Sequence, residues 1–211
     1  MKKTSKFISI LLALIMVISI IPMSSITASA TTYSGKCGDN LTWTFDDSTG
    51  TLTILGTGAM YVYESNNLPW ESCSINIKKV VISSGVTTIG DNAFHSCYSL
   101  SNVIIPNSVT KIGMGSFSAC TSLTSVTIPN SVTTIGDSAF SSCERLASVT
   151  IPNSVTTISD YAFSHCYKLQ SVKIPDSVTS IGDSAFSSCD SLTSVIIPDG
   201  VTTIGLRTFA Y

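Results

Sequence analysis

The chain has 211 residues, of which 44% are hydrophobic and only 11% are charged. Its formal net charge is −2. Without the first 30 residues, eight Lys and Arg face thirteen Asp and Glu, a net charge of −5. An acidic, weakly charged chain argues against nucleic acid and anionic membranes as partners, because both need a basic face.

Residues 1–30 have the pattern of a secretory signal peptide. Three lysines precede an apolar run from Phe7 to about Ile21, and the small residues 28–30 form a cleavage site. The run is too short to predict a membrane span, and no stop-transfer pattern follows it. We therefore expect a secreted or cell-surface protein, cleaved after Ala30, with a retained N-terminal anchor as the alternative.

Residues 31–81 differ from the rest of the chain. Apolar residues alternate with threonine over 41–45, a turn cluster follows, and a second strand is predicted over 51–55. We interpret this region as a small N-terminal β-hairpin cap, since a solenoid needs its open apolar end covered. The alternative is that Trp43 and Trp70 line a sugar-binding site.

Residues 82–211 repeat with a step of 23. A repeat this short cannot bury its apolar face alone, so its copies must stack. The sequence therefore predicts a repeat solenoid of five full coils and a partial sixth. The step is kept by phenylalanine at Phe94, Phe117, Phe140, Phe163, Phe186 and Phe209, by cysteine at Cys97, Cys120, Cys143, Cys166 and Cys189, and by leucine at Leu100, Leu123, Leu146, Leu169 and Leu192.

Each coil can be interpreted position by position. Leu123, Val126 and Ile128 have the L-x-x-L-x-L spacing of a leucine-rich repeat strand, with alternate residues pointing inward. A proline and turn residues end the strand. Asp137 then precedes Phe140 in the position of an N-cap for a short helical turn.

The pattern C-x-x-L-x-x-V-x-I-P-x-S-V-x-x-I-G-x-x-A-F-x-x-C resembles the BspA-like leucine-rich repeat family of bacterial surface proteins. The resemblance covers residues 82–211. It implies a curved solenoid with short parallel strands on the concave face and turns or short helical turns on the convex face. It also implies export and a role in binding or adhesion, and it supplies no catalytic residues.

Seven cysteines are present. The five on the repeat are predicted to be free and buried, because an unpaired cysteine packs as a small hydrophobe. Cys37 and Cys73 lie outside the repeat and could form a disulfide. The lack of a Cys-x-x-Cys pair argues against structural zinc.

Two other sets of residues carry groups that are common in active sites and metal sites. Asp137, Asp160 and Asp183 share one repeat position, and carboxylates about 5 Å apart could serve a retaining glycosidase or hold a cation. Capping alone accounts for them. His95 and His165 lie about three coils apart, roughly 14 Å, too far to share one metal or substrate atom. We therefore expect no catalytic residue, metal or cofactor.

The positions that vary between coils are the candidates for a binding surface, because Tyr and Arg dominate interface hot spots. We predict a non-catalytic module for binding or adhesion to protein or glycan partners. The alternatives are a carbohydrate-active enzyme on a solenoid scaffold, and a structural spacer or fragment of a larger surface protein. The predicted partner-binding residues are Tyr98, Glu144, Arg145, Tyr167, Lys168, Gln170 and Lys173.

The partial sixth coil carries Val201, Ile204 and Phe209, which in other coils pack against both neighbours. We expect its outer side to be exposed. It should therefore either fray from about residue 197 or support end-to-end self-association.

Overall fold

The computed structural model describes residues 32–64 and 67–211, so the predicted signal peptide lies outside the described residues. We number the coils 1 to 6, with bounds at 82–104, 105–127, 128–150, 151–173, 174–196 and 197–211. The elements are β1 (Thr32–Gly38), β2 (Leu41–Asp46), β3 (Thr51–Gly56), β4 (Gly58–Ala59), a 3-10 helix (Glu71–Asn76), β5 (Lys79–Ile82), β6 (Val86–Ile89), β7 (Asn102–Ile104), β8 (Lys111–Ile112), β9 (Ser125–Thr127), β10 (Thr134–Ile135), β11 (Ser148–Thr150), β12 (Thr157–Ile158), β13 (Ser171–Lys173), β14 (Ser180–Ile181) and β15 (Thr203–Ile204).

The N-terminal strands β1, β2 and β3 form an antiparallel sheet. The predicted hairpin is present as β2 and β3. The sequence did not predict β1, since Gly35 and Gly38 interrupt its alternation. Strand β3 then pairs in parallel with β5, so the antiparallel sheet continues directly into the first ladder of the repeats.

Two ladders of parallel strands run through the repeats. The first continues from β5 to β7, and β9, β11 and β13 follow the same repeat position, with Val149 in register with Val126 and Val172. The second joins β6, β8 and β10, then β12, β14 and β15. The predicted parallel solenoid is confirmed. Its second ladder was not predicted, because every strand after β6 has only two residues, a polar residue followed by isoleucine, which is too few for a periodicity signal.

A third side of each coil is built from turns that hydrogen bond along the solenoid. In coil 3 the N–H groups of Ser138, Phe140 and Ser142 donate to carbonyls of coil 4 at 2.9, 2.9 and 2.7 Å. The same three bonds recur at every junction from coil 1 to coil 6. All of them run one way, from N–H groups of one coil to carbonyls of the next.

The predicted N-cap role of the repeat aspartate is wrong, because residues 137–142 form turns and no helix. The carboxylate of Asp160 instead accepts a hydrogen bond from the N–H of Asp183 in the next coil, at 2.7 Å. Asp91 bonds in the same way to the N–H of Met114, at 2.9 Å. Gly113 lies so close to Asp91 that a Cβ atom there would be 2.5 Å from the carboxylate oxygen. Glycine is therefore needed at this position for lack of space and not for a positive φ.

Phenylalanine rings form a continuous stack through the core. The centroids of Phe117 and Phe140 lie 5.2 Å apart, with the rings within 5° of parallel. At the N-terminal end the stack continues through Trp70, whose ring lies 5.4 Å from that of Phe94. Trp70 is fully buried, and its indole N–H donates to the carbonyl of Ala93 at 3.0 Å.

The repeat cysteines are free and buried, as predicted, and so are Cys37 and Cys73, which do not pair. Each thiol from coil 2 to coil 5 donates to the phenylalanine carbonyl of the preceding coil, as Cys143 does to Phe117 at 3.2 Å. Burial raises the pKa of the Cys143 thiol to about 12. These thiols therefore stay protonated at neutral pH, where a thiol is a poor nucleophile and metal ligand.

Candidate partner-binding surface

Most of the predicted binding residues lie together on coils 3 and 4. Glu144 and Arg145 are exposed on coil 3, in the turn before its first-ladder strand. Tyr167 and Lys168 occupy the same two positions on coil 4, one step along the solenoid. The N–H of Lys168 donates to the carbonyl of Glu144 at 3.2 Å, which keeps the two turns side by side.

The remaining predicted residues extend or leave this group. Gln170 follows on coil 4, and its N–H donates to Ala147 at 3.1 Å. Lys173 ends strand β13 of the same coil, with its side chain exposed. Tyr98 is half exposed but lies on coil 1, three coils from Tyr167 or roughly 14 Å along the solenoid. The structure therefore places six of the seven residues on adjacent coils and leaves Tyr98 apart.

Two exposed residues of coil 4 were missed by the sequence prediction. Tyr161 and His165 lie in the turns just before Tyr167, and both have left-handed backbone conformations, with φ of 57° and 59°. The rings of His165 and Tyr167 meet edge to face at 5.9 Å. The buried hydroxyl of Ser164 lies 2.8 Å from Nδ1 of His165 and fixes the ring orientation.

These two positions distinguish coil 4 from its neighbours. Tyrosine with positive φ is an outlier, because its Cβ crowds the backbone in that region, whereas histidine adopts this conformation more often. Comparing the coils position by position would have revealed both residues, but the sequence does not show that the backbone φ angle is positive there. Other coils carry Asn92, Gly115, Ser138, Ser184 and Arg207 at the position of Tyr161, and Ser96, Ala119, Ser142 and Ser188 at that of His165.

We call Tyr161, His165, Tyr167 and Lys168 the coil 4 patch. It presents two phenol rings, an imidazole and an ammonium group within eight residues. Arg145 and Lys173 add positive charge nearby, and the carboxylates of Glu144, Asp160 and Asp190 on coils 3, 4 and 5 balance it. A surface of this kind can stack on flat groups and donate several hydrogen bonds.

A concave surface lies on the first ladder. It is an open groove of about 530 Å³ near the strands of coils 1 to 3, and Ile104 is half exposed within it. Amide and hydroxyl groups alternate with apolar ones along its walls. The principal lining residues are Val103, Ile104, Asn107, Thr127, Asn130 and Thr150.

The structure gives little support to the chemical alternatives. Both Trp43 and Trp70 are buried, so neither can line a sugar site. Ser164 and His165 resemble a nucleophile and base, but the serine is only 1% exposed and cannot reach a substrate. Burial lowers the pKa of His95. Within residues 32–64 and 67–211, no group of three or more His, Cys, Asp or Glu side chains could hold a metal ion.

The family model of the BspA type leucine rich repeat region matches residues 70–189 in six copies. The chain belongs to this family of leucine-rich repeat proteins. The match begins at Trp70, the residue that extends the phenylalanine stack. Residues 70–81 therefore contribute part of a coil, although the sequence places them in the predicted cap. The extra residue in the 3-10 helix hides this coil, because Trp70 precedes Phe94 by 24 residues instead of 23.

Solved structures support the same fold. A leucine rich cell surface protein from Faecalibacterium prausnitzii is 32% identical, with a TM-score of 0.65 over 86% of this chain and 52% of its own. A leucine-rich repeat protein from Bacteroides ovatus is 28% identical, with a TM-score of 0.54 over 80% and 54%. A leucine rich repeat protein from T. pallidum, at 24% identity and a TM-score of 0.63 over 81% and 86%, supports the fold alone.

The chain thus spans about half the length of the F. prausnitzii and B. ovatus proteins. The search of curated proteins finds no match. No helix among the described residues is long and apolar enough to cross a membrane.

Proposed function

We propose that this protein is exported and acts as a non-catalytic module that binds a protein or glycan partner through the coil 4 patch. One observation carries the proposal: coil 4 holds the bulky Tyr161 in a left-handed backbone conformation, where the neighbouring coils 3 and 5 carry Ser138 and Ser184. Backbone strain of this kind costs on the order of 1–3 kcal/mol and concentrates at functional sites.

The composition of the patch supports binding in preference to a purely structural role. Tyrosine supplies a large, rigid contact area at low entropic cost, and it is enriched among the residues that dominate binding energy. Tyr161 and Tyr167 are 49% and 36% exposed, so part of each ring already packs on the protein and is held in place. Lys168, Arg145 and Lys173 can donate to hydrogen-bond-accepting groups of a partner at this position.

Export is part of the proposal. The sequence pattern of residues 1–30 supports it, and so does the similarity to a cell surface protein from F. prausnitzii. Its test is the intact mass of protein recovered from culture medium or from the cell surface. A chain that begins at Thr31 is expected, and a chain that keeps residue 1 would contradict cleavage after Ala30.

The experiment on binding uses the protein and an array of glycans and extracellular matrix proteins. One variant replaces the coil 4 patch by small residues that other coils carry at the same positions: Tyr161→Ser, His165→Ser, Tyr167→Thr and Lys168→Ser. We expect at least a tenfold loss of affinity for any partner found. The matched control changes exposed coil 2 residues, Thr121→Ser and Ser122→Ala, and should leave affinity within about twofold. An equal loss of affinity in both variants, or no loss in either, would contradict the proposed site.

The same array tests the alternative functions. Hydrolysis of a glycan, lost on replacing Asp137, Asp160 or Asp183 by Asn, would favour an enzyme. Asp160 and Asp183 already accept main-chain hydrogen bonds from the next coil, so we expect their replacement to lower stability and to reveal no hydrolysis. Failure to bind any candidate, with the fold intact, would favour a structural spacer.

A further inference from the structure

Coils 3 and 4 are joined less completely than the other coils along the second ladder, which is divided between β10 and β12. At every other junction two main-chain bonds flank the ladder strands; in coil 5 the N–H groups of Thr179 and Gly182 donate to coil 4 at 2.9 and 2.7 Å. The equivalent N–H groups of Thr156 and Ser159 have no main-chain acceptor among the described residues. The first ladder and the turn bonds are intact here, so the gap is confined to one side of the junction.

Ser159 accounts for the gap, because every other coil carries glycine at its position. Successive coils come so close there that a Cβ at Gly182 would lie 2.6 Å from the main-chain nitrogen of Asp160. Ser159 has a Cβ, so coil 4 cannot approach coil 3 to the same distance. Its hydroxyl instead donates to the carbonyl of Ile135 at 2.7 Å, in place of the missing main-chain N–H.

The gap leaves one repeat carboxylate without its usual hydrogen bond. The carboxylates of Asp91, Asp160 and Asp183 each accept from a main-chain N–H of the next coil, at 2.9, 2.7 and 2.6 Å. In coil 3 the equivalent donor would be the N–H of Asp160, yet the carboxylate of Asp137 accepts no hydrogen bond among the described residues. Asp137 is also exposed, so its carboxylate can bind a group from outside the protein.

The free carboxylate lies next to the coil 4 patch. The N–H of Ser138 donates to the carbonyl of Asp160 at 2.9 Å. Asp137 precedes the donor and Tyr161 follows the acceptor, so the two residues flank one contact between the coils. An ammonium or guanidinium group is attracted both to a carboxylate and to the face of a tyrosine ring.

We propose that Ser159 is a positioning residue for the coil 4 patch. By holding coil 4 away from coil 3, it leaves the Asp137 carboxylate free to bind a lysine or arginine side chain of the partner beside Tyr161. This inference rests on the proposed function, since it assumes that the patch binds a partner. It adds the chemical class of that partner, which is a protein with an exposed basic side chain and not a neutral glycan.

Amide hydrogen exchange, followed by NMR, tests the gap without any partner. In the parent protein the amides of Thr156 and Asp160 should exchange at least tenfold faster than those of Thr179 and Asp183, their counterparts in coil 5. Ser159→Gly should close the gap and slow both amides of coil 4 to the coil 5 rates. Equal rates in the parent, or no change in Ser159→Gly, would overturn the proposal.

A short peptide tests the binding step. The probe is Gly-Gly-Arg-Gly-Gly with both ends blocked, and the control peptide has neutral citrulline in place of arginine. Titration should shift the NMR signals of Ser138 and Tyr161 with a Kd of about 10 mM or tighter, and the citrulline peptide should bind at least fivefold more weakly.

Four variants separate positioning from a merely structural role. Asp137→Asn and Ser159→Gly should each weaken the arginine peptide at least fivefold, although Ser159→Gly should not lose stability. Ser159→Ala keeps the Cβ that holds the coils apart, so its affinity should stay within about twofold even though the hydroxyl bond is lost. Asp183→Asn changes a carboxylate that is already hydrogen bonded and should also stay within about twofold. Circular dichroism checks that all four variants fold.

The proposal is overturned if the arginine peptide does not bind, if both peptides bind alike, or if Ser159→Ala and Ser159→Gly weaken binding equally. A partner from the array that needs the coil 4 patch but binds Asp137→Asn normally would also overturn it, and would leave the proposed function standing. Binding of the arginine peptide through Asp137, with no partner found in the array, would count against the proposed function instead.

Discussion

The two ends of the repeat array meet the same physical problem in different ways. At the N-terminal end, the indole ring of Trp70 stacks on Phe94 and is fully buried, so another aromatic ring covers the end of the phenylalanine stack. At the C-terminal end, Phe209 lies on Phe186 at 5.6 Å, but its other face is open and the residue is 37% exposed. The first end is sealed by side chains that imitate a coil, whereas the second presents a coil with no neighbour.

The hydrogen bonds between the turns of successive coils all have the same polarity along the solenoid. The turn ladder offers carbonyl groups toward one end and N–H groups toward the other. A cap at the N-terminal end must therefore donate, and the indole of Trp70 does so to Ala93. Any segment that continues the turn ladder beyond coil 6 must accept on the turn side.

The largest expected effect is loss of stability at alkaline pH, shared by all the buried thiols. Burial raises the pKa of Cys97 and Cys143 to about 12, from a usual value of 9.0. The unfolded chain thus releases protons that the folded chain keeps. Stability is full below about pH 9 and falls as the pH rises toward 12, by about 1.4 kcal/mol per pH unit for each thiol.

Urea unfolding between pH 7 and 11 measures this effect. The unfolding free energy of the Cys143→Ala variant should fall less steeply with pH than that of the parent. The difference in slope should correspond to about one proton released on unfolding, whatever the stability of the variant at pH 7. The open end should also be the more reactive, because the pKa of Cys189 is raised only to about 11. Alkylation that labels Cys143 before Cys189, or equal pH slopes for parent and variant, would contradict the contrast between interior and end.

Removing an aromatic ring should cost far more at the sealed end than at the open one. Trp70→Ala and Phe140→Ala each delete a fully buried ring, and such changes cost about 3–5 kcal/mol. Phe209→Ala should cost about 1 kcal/mol, since only one face of its ring is packed. Ser141→Ala, on the turn surface beside Phe140, should stay within about 0.5 kcal/mol. Urea midpoints at pH 7 check the order, and a Phe209→Ala loss equal to that of Trp70→Ala would mean that the ends are alike.

The contribution of the indole hydrogen bond can be separated from that of the ring. Trp70→Phe keeps a stacked ring but removes the donor to the buried Ala93 carbonyl, which should cost about 1–3 kcal/mol. Trp43→Phe is the matched control, because Nε1 of Trp43 is buried with no hydrogen-bond partner among the described residues. Denaturant unfolding gives the free energy of unfolding of both variants. A larger loss of stability for Trp43→Phe than for Trp70→Phe would contradict a stabilising role for the indole hydrogen bond of Trp70.

The sequence predicted the core well and the surface of the turns poorly, for physical reasons. The inward positions, such as Phe140, Cys143 and Leu146, recur with a fixed step because every coil must fill the same space. The role of Asp160 was mispredicted because its partner, the N–H of Asp183, is 23 residues away, whereas capping rules consider only local partners. Trp70 was assigned to the cap because one extra residue shifts it off the 23-residue step.

The sequence also predicted some residues of the candidate site and missed others. Tyr167 and Lys168 were identified from variation between coils, and the structure places them beside Arg145. Tyr161 was missed because its significance depends on φ, which a single sequence does not reveal. The small residues at the same position in coils 1, 2, 3 and 5 gave a hint, since glycine and asparagine tolerate the left-handed region.

The smallest expected effect concerns stability at the coil 4 patch and has the opposite sign to the others. Tyr161 has φ of 57°, and coil 1 carries Asn92 at the same position with φ of 55°. Asparagine tolerates this conformation better than tyrosine, so Tyr161→Asn should leave stability unchanged or raise it by up to about 1 kcal/mol. Binding through the patch should weaken in the same variant. Ser138→Asn in coil 3 is the control, since it should change stability by less than about 0.5 kcal/mol and leave binding intact. A clear loss of stability in Tyr161→Asn would show that the tyrosine is retained for packing, and the strain argument for a binding site on coil 4 would fail.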